Sequence, residues 1–213
     1  MNRQVGVKSR MRLQQRAFTL VEILVALMVV AVLAGIISLA LPSVVKQTRQ
    51  SKCLSNLRQI GIGFKLYASD HQQDIVSGAA SPSWYRVLCN ENYISKDVLY
   101  CPARDSISTT PNNYSMNGRI GVGQSGTMGI EKMPQAVNPA QTMCVADAPM
   151  RSKGVFYSLM YPAGDARAQA VHDDGLNILY LDGHVSWVQL SDVFTTGESQ
   201  KAGSPGHMFW FGD

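Results

Sequence analysis

Arg16-Ala17-Phe18-Thr19-Leu20-Val21-Glu22-Ile23-Leu24 opens the stretch that decides the fold, because no charged residue follows from Ile23 to Val45. Leu, Val, Ile, Ala and Met fill this run, interrupted by Gly35, Ser38 and Pro42. A helix rises about 1.5 Å per residue, so the run is long enough to cross a hydrocarbon layer of roughly 30 Å. Glu22 is the anomaly, since a carboxylate at mid-membrane costs on the order of 2–3 kcal/mol and less near the interface.

Upstream, residues 1–17 hold Arg3, Lys8, Arg10, Arg12 and Arg16 and no acid. They account for the basic character of the chain: without them 14 basic side chains face 15 acidic ones, a formal −1 in place of +4. A nucleic-acid surface has no support after that subtraction, and no nucleic acid is expected as a partner. At 213 residues the chain has room for one compact domain plus extensions.

Three readings of the apolar run compete. A secretory signal would be cut after it, and Ser38-Leu39-Ala40 has the small-x-small form, but the run far exceeds the roughly 7–15 residues of a signal core. A retained anchor explains the length and leaves Glu22 unexplained. The third reading explains both. The basic leader, Phe-Thr-Leu-x-Glu and unbroken apolar run resemble the processing site of type IV prepilins and type II secretion pseudopilins.

That resemblance implies cleavage between Ala17 and Phe18 by a prepilin peptidase on the cytoplasmic side, followed by N-methylation of Phe18. Ala17 departs from the glycine usual before the cut. Glu22 then becomes the fifth mature residue, where the family keeps an acid for assembly. The implied partners are other pilin or pseudopilin subunits, the peptidase, an inner-membrane assembly platform and membrane lipid. The implied location is the inner membrane, crossed once, with the head outside the cytoplasm. Basic residues flank both ends of the run, Lys46, Arg49 and Lys52 following it, so charge alone gives little orientation.

Beyond Val45 the pattern stays helical. Leu54, Leu57, Ile60, Gly61, Phe64 and Tyr67 share one face at 3.6-residue spacing. We therefore expect one long helix from Phe18 to about Asp70, bent near Pro42, with close packing at Gly61 and Gly63. Trp84 to Cys101 suggests a short helix, then a short strand at Val98–Cys101. Residues 106–130 read as a surface loop rich in Ser, Thr, Asn and Gly. Met143–Ala146 and Gly154–Met160 read as strands. Leu176 to Leu190 holds two alternating β-rich runs around Asp182-Gly183, a pair suited to a two-residue hairpin turn with φ > 0 at both positions.

The expected fold is α+β and pilin-like: leader 1–17, transmembrane and assembly helix 18–45, amphipathic continuation 46–70, a small antiparallel-sheet head 71–190 and a tail 191–213. Phe209-Trp210-Phe211 in the tail would tuck onto the head or meet a partner.

Cys53, Cys89, Cys101 and Cys144 contain no C-x-x-C pair, a spacing that argues against zinc. One or two disulfides, or four free thiols, remain open on the residues alone. His172, followed after nine residues by Asp182-Gly183, resembles an element of pilin-like proteins from planctomycetes and verrucomicrobia. Cys53-Leu54-Ser55-Asn56, Cys101-Pro102, Asn113-Tyr114-Ser115-Met116-Asn117 and Ala146-Asp147 fit the same group, which implies a Cys53–Cys101 disulfide.

For His172 the expected role is structural: its imidazole donates to a backbone carbonyl or to Asp182 and pins the hairpin with Gly183. Asp173, Asp174 and Asp182 offer the oxygens a calcium ion prefers, as an alternative; otherwise no cofactor is expected. No side chain stands in a recognisable nucleophile setting, so no catalytic residue is assigned. The leading expectation is a filament subunit. A membrane-anchored extracytoplasmic binding or hydrolytic domain is its rival.

Overall fold

A computed structural model describes residues 18–76, 82–104, 112–117, 120–121, 130–147, 155–156 and 170–193. The leader with Ala17, and the tail aromatics Phe209 to Phe211, lie outside the described residues. The chain divides into two units, residues 1–44 and 45–213. Helix α1, Leu20–Asp70, contributes to both.

The first unit is the apolar part of α1. From Leu20 to Val44 every large apolar side chain is at least half exposed in the single chain. The helix is long and apolar enough to cross a membrane. Its two hydroxyls are internally satisfied: Ser38 Oγ donates to Ala34 O at 2.8 Å and Ser43 Oγ to Ala40 O at 2.9 Å. Such back-bonding suits a segment with no water to pair with. Pro42 stands inside α1 and does not end it.

The second unit begins with the rest of α1. Cys53, Asn56, Leu57, Ile60, Gly61, Gly63, Phe64 and Ala68 are buried at helical spacing, while Leu54 and Tyr67 are half-buried at its margins. Each large side chain so buried contributes about 2 kcal/mol. The glycines mark the close approaches. A Cβ at Gly61 would stand 2.8 Å from Leu179 Cδ1, and one at Gly63 would overlap Ile94 Cγ2 and press on Tyr93 O.

Helix α2, Trp84–Asn90, packs Trp84 on Phe64 with ring centroids 5.6 Å apart. The expected strand at Val98–Cys101 is instead a 3₁₀ turn, Lys96–Leu99, capped by Ser95, whose hydroxyl accepts from Asp97 N at 3.4 Å. Its apolar pair, Val98 and Leu99, is buried without strand pairing. The cap decided the local structure where the apolar run suggested extension.

Five strands make one sheet in the order β3-β1-β2-β4-β5: β1 Ser115–Asn117, β2 Met143–Ala146, β3 Val155–Phe156, β4 Gly175–Tyr180 and β5 Val185–Gln189. Strands β1, β2, β4 and β5 pair antiparallel, and β3 lies parallel on β1. Strand β1 falls inside the segment expected to be loop. Ser-Met-Asn has little strand preference of its own, and two neighbours hold it. Strand β4, flanked by β2 and β5, is buried on both faces. Leu179 meets Gly61 of α1, and Asn177 shares its face by alternation.

The β4–β5 hairpin forms as expected, with a different turn. Gly183 N donates to Tyr180 O at 2.9 Å and Tyr180 N to His184 O at 3.0 Å, leaving three loop residues, Leu181 to Gly183. Of these only Gly183 has positive φ, +94°, the arrangement of a tight turn closed by one left-handed residue. The two-residue turn lies at the other end of β4. His172 and Gly175 exchange both backbone hydrogen bonds at 3.0 Å around Asp173 and Asp174, whose φ values are 46° and 58°. Aspartate tolerates this conformation better than most residues.

Candidate functional site

Among the described residues two places carry chemistry, one in each unit. At the start of α1, Thr19 and Glu22 form a capping box. Glu22 Oε2 accepts from Thr19 N at 2.8 Å and from Thr19 Oγ1 at 2.9 Å, and Glu22 N donates to Thr19 Oγ1 at 3.2 Å. Two helix-start donors are thereby satisfied. Phe18 sits immediately before the box and is exposed. Sequence reading gave Glu22 a charge to be paired but missed this local use, although Thr-x-x-Glu before an apolar run is its signature.

In the head, segments scattered over the sequence converge on one buried cluster. Cys53 on α1 and Cys101, just after the 3₁₀ turn, are joined by a disulfide with Cα atoms 5.1 Å apart. Cys101 N donates to Asn113 Oδ1 at 3.0 Å. Asn56, one turn along α1 from Cys53, donates through Nδ2 to Tyr100 O at 2.7 Å and to Tyr114 Oη at 3.2 Å. Burial pushes the Tyr114 phenol well above its ordinary range, so it stays protonated.

His172 completes the cluster. Its Nε2 lies 2.9 Å from Asp147 Oδ2 and 3.8 Å from Cys101 Sγ. Imidazole and carboxylate are buried, 2 % and 0 % exposed. Asp147 is held in turn by Asn177, whose backbone N donates to Oδ1 and whose Nδ2 donates to Oδ2, both at 2.7 Å. The expected partner Asp182 is therefore replaced by Asp147, a residue 25 positions upstream on the neighbouring strand's end. His172 does tie the hairpin, but through its carbonyl, which accepts from Trp187 Nε1 at 2.7 Å.

The nine residues between His172 and Asp182 measure one strand with its turns, which sets the two groups at opposite ends of β4. Asp182 belongs to an exposed surface group. Its Oδ1 lies 2.7 Å from His184 Nδ1 and accepts from His184 N at 2.9 Å, while its carbonyl accepts from Lys65 Nζ at 2.5 Å. Asp173 pairs with Lys46. Asp173 and Asp174 thus lie at one end of β4 and Asp182 at the other, so these three acids are not brought together. Nor is a nucleophile relay built at His172, because the same ring nitrogen faces both the carboxylate and the sulfur. Cys89 and Cys144 are unpaired, and burial raises the Cys144 thiol far above its ordinary range.

Residues 12–38 match the prokaryotic N-terminal methylation motif, the region that holds Ala17, Phe18 and Glu22. No curated protein and no solved structure matches the chain. The motif implies processing by a prepilin peptidase and assembly with other pilin subunits. Joined to a 51-residue helix with an apolar first half and a small α+β head, the match over residues 12–38 supports a type IV pilin-like protein.

Proposed function

We propose that the chain is a structural subunit of a filament of the type IV pilus or type II secretion pseudopilus class. The precursor spans the inner membrane once, with residues 1–17 in the cytoplasm and the head outside. The peptidase cuts between Ala17 and Phe18, and the new amino group on Phe18 is methylated. In the fibre the apolar halves of α1 pack together by van der Waals contact, and Glu22 fixes their register by pairing with the amino terminus of a neighbouring subunit. Assembly work comes from outside the chain, whose sequence holds no phosphate-binding glycine loop.

The observation that carries this reading is a carboxylate placed at the mouth of a helix whose large apolar side chains, from Leu20 to Val44, are all left uncovered. A tethered binding or hydrolytic domain needs the hydrophobic run but not the acid. Glu22→Gln separates the two, because glutamine can keep the capping box while losing the charge. We expect the variant to be cut before Phe18, to keep a folded head and to yield no sheared filaments, by intact mass, circular dichroism and electron microscopy respectively. Normal filaments from Glu22→Gln, or a mature wild-type protein that begins at Met1 or Leu41, would overturn the proposal.

A further inference from the structure

The cluster around the disulfide holds more chemistry than a cross-link uses. A disulfide needs neither an imidazole nor a carboxylate beside it, and its sulfurs are weak acceptors. Burying an Asp–His pair away from water costs several kcal/mol per charged group unless strong interactions offset it. Here both groups are buried and aimed at the sulfur pair: the ligand atoms of Cys53, Cys101, Asp147 and His172 all lie within 4.8 Å of one another. Two thiolates, an imidazole and a carboxylate form a four-ligand set of the kind zinc takes in tetrahedral sites.

We propose that, when the Cys53–Cys101 bond is reduced, the head holds one zinc ion through both Sγ atoms, His172 Nε2 and Asp147 Oδ2. The reading is independent of the filament proposal. Around a tetrahedral zinc two thiolates, each about 2.3 Å from the metal, stand about 3.7 Å apart, so the sulfurs separate by rotation of their side chains. The surroundings supply what such a site needs. Asn177 already orients the carboxylate with two hydrogen bonds at 2.7 Å, the outer support that metal ligands require. Bound zinc with two thiolates and one carboxylate leaves one net negative charge, and half-buried Arg104 feels the charge of Asp147.

The chemistry balances. A phosphine reductant gives two electrons to the disulfide and becomes the phosphine oxide with oxygen from water, leaving two thiols. Zinc then displaces one proton from each. A small-molecule disulfide reverses this: two thiolates are oxidised to the cystine, the small disulfide takes the two electrons and two protons from water to become two thiols, and zinc leaves. Disulfide and metal are thus mutually exclusive occupants of one place, and the head is either cross-linked or metal-bound.

The test uses the full-length chain in detergent micelles, unfolded with a phosphine reductant, refolded without oxygen and titrated with zinc or cobalt against a chromophoric chelator. The expected result is one zinc per reduced chain, none per oxidised chain, and a cobalt spectrum with tetrahedral ligand-field bands and thiolate charge transfer. His172→Ala and Asp147→Asn should weaken binding by at least about 10-fold. Cys89→Ser with Cys144→Ser should leave it unchanged. Because the wild-type comparison needs no variant, a folding failure in any substitution does not shield the proposal. No zinc on the reduced wild-type chain, equal binding by the oxidised chain, an octahedral cobalt spectrum, or loss of binding in the Cys89/Cys144 variant would overturn it.

Discussion

The two halves of α1 obey the same helical geometry and opposite rules of burial. From Leu20 to Val44 the large apolar side chains find no cover within the described residues, whereas Cys53, Leu57 and Ile60 are 0 % exposed and Phe64 2 %. Composition explains part of the contrast. The first half is apolar all round, the mark of a helix meant for lipid or for other helices, while the second carries its apolar residues on one face with Lys52 and Arg58 off it. A continuous helix can therefore hold two solvents' worth of design, and stability measured on one half says little about the other.

That contrast can be broken by matched substitutions. Phe64→Ala removes a buried ring stacked on Trp84 and should cost the head about 3–5 kcal/mol in denaturant unfolding followed by tryptophan fluorescence. Ile36→Ala, with Ile36 62 % exposed, should leave the same transition unmoved. A shift of the head's midpoint by Ile36→Ala would mean that the first half is coupled to head folding after all.

Glycines sharpen the comparison. Gly63→Ala forces a methyl group into Ile94 and against the Tyr93 carbonyl, and should destabilise the head by about 1–3 kcal/mol despite its better helix propensity. At Gly35 a Cβ meets nothing within 4 Å in the single chain, so Gly35→Ala should leave the head unchanged and firm the helix. If Gly35→Ala also blocks filament assembly, neighbouring helices approach there as closely as Ile94 approaches Gly63.

The smallest expected effect is electrostatic. Partial burial pushes the Asp182 carboxyl up, but the hydrogen bonds from His184 and the charges of His184 and Lys65 outweigh it and hold it below the ordinary carboxylate value. Its stabilising contribution is therefore complete above the ordinary carboxylate pKa and disappears as pH falls through the lowered folded value. An acid titration of head stability should show a loss in that window that is slightly smaller for Asp182→Asn than for the wild type. The effect should be modest because the group is solvent-screened.

How much of this was legible beforehand follows from where each signal resides. The apolar run, the helical face through Leu57, Ile60 and Phe64, the short helix at Trp84 and the β4–β5 pair are written in local periodicity, and the structure has them. Gly61 and Gly63 also read correctly as close approaches. The turn of the hairpin did not. Asp-Gly favours a two-residue turn, but the register from Gly175↔Gln189 to Leu179↔Val185 leaves three residues to loop around, and only Gly183 takes positive φ.

The head cluster was least legible. The resemblance implied the Cys53–Cys101 disulfide, which the structure has, but Cys53, Cys101, Asp147 and His172 come from a helix, the segment just after a 3₁₀ turn, the end of β2 and a turn before β4, so no spacing rule joins them. The argument from the missing C-x-x-C excludes local zinc motifs only. Asp173 and Asp174, by contrast, looked like ligands because they are adjacent acids, yet adjacency served backbone conformation in a turn.

The Cys53–Cys101 bond has a mechanical consequence. It spans a sequence separation of 48 residues, and a taut chain yields roughly 3.4 Å per residue. Tension entering along α1 ahead of Cys53 would travel through the sulfur bridge and leave after Cys101, so the intervening segment stays slack whatever the load. About 160 Å of potential lengthening is withheld from a pulled chain while the bridge is intact.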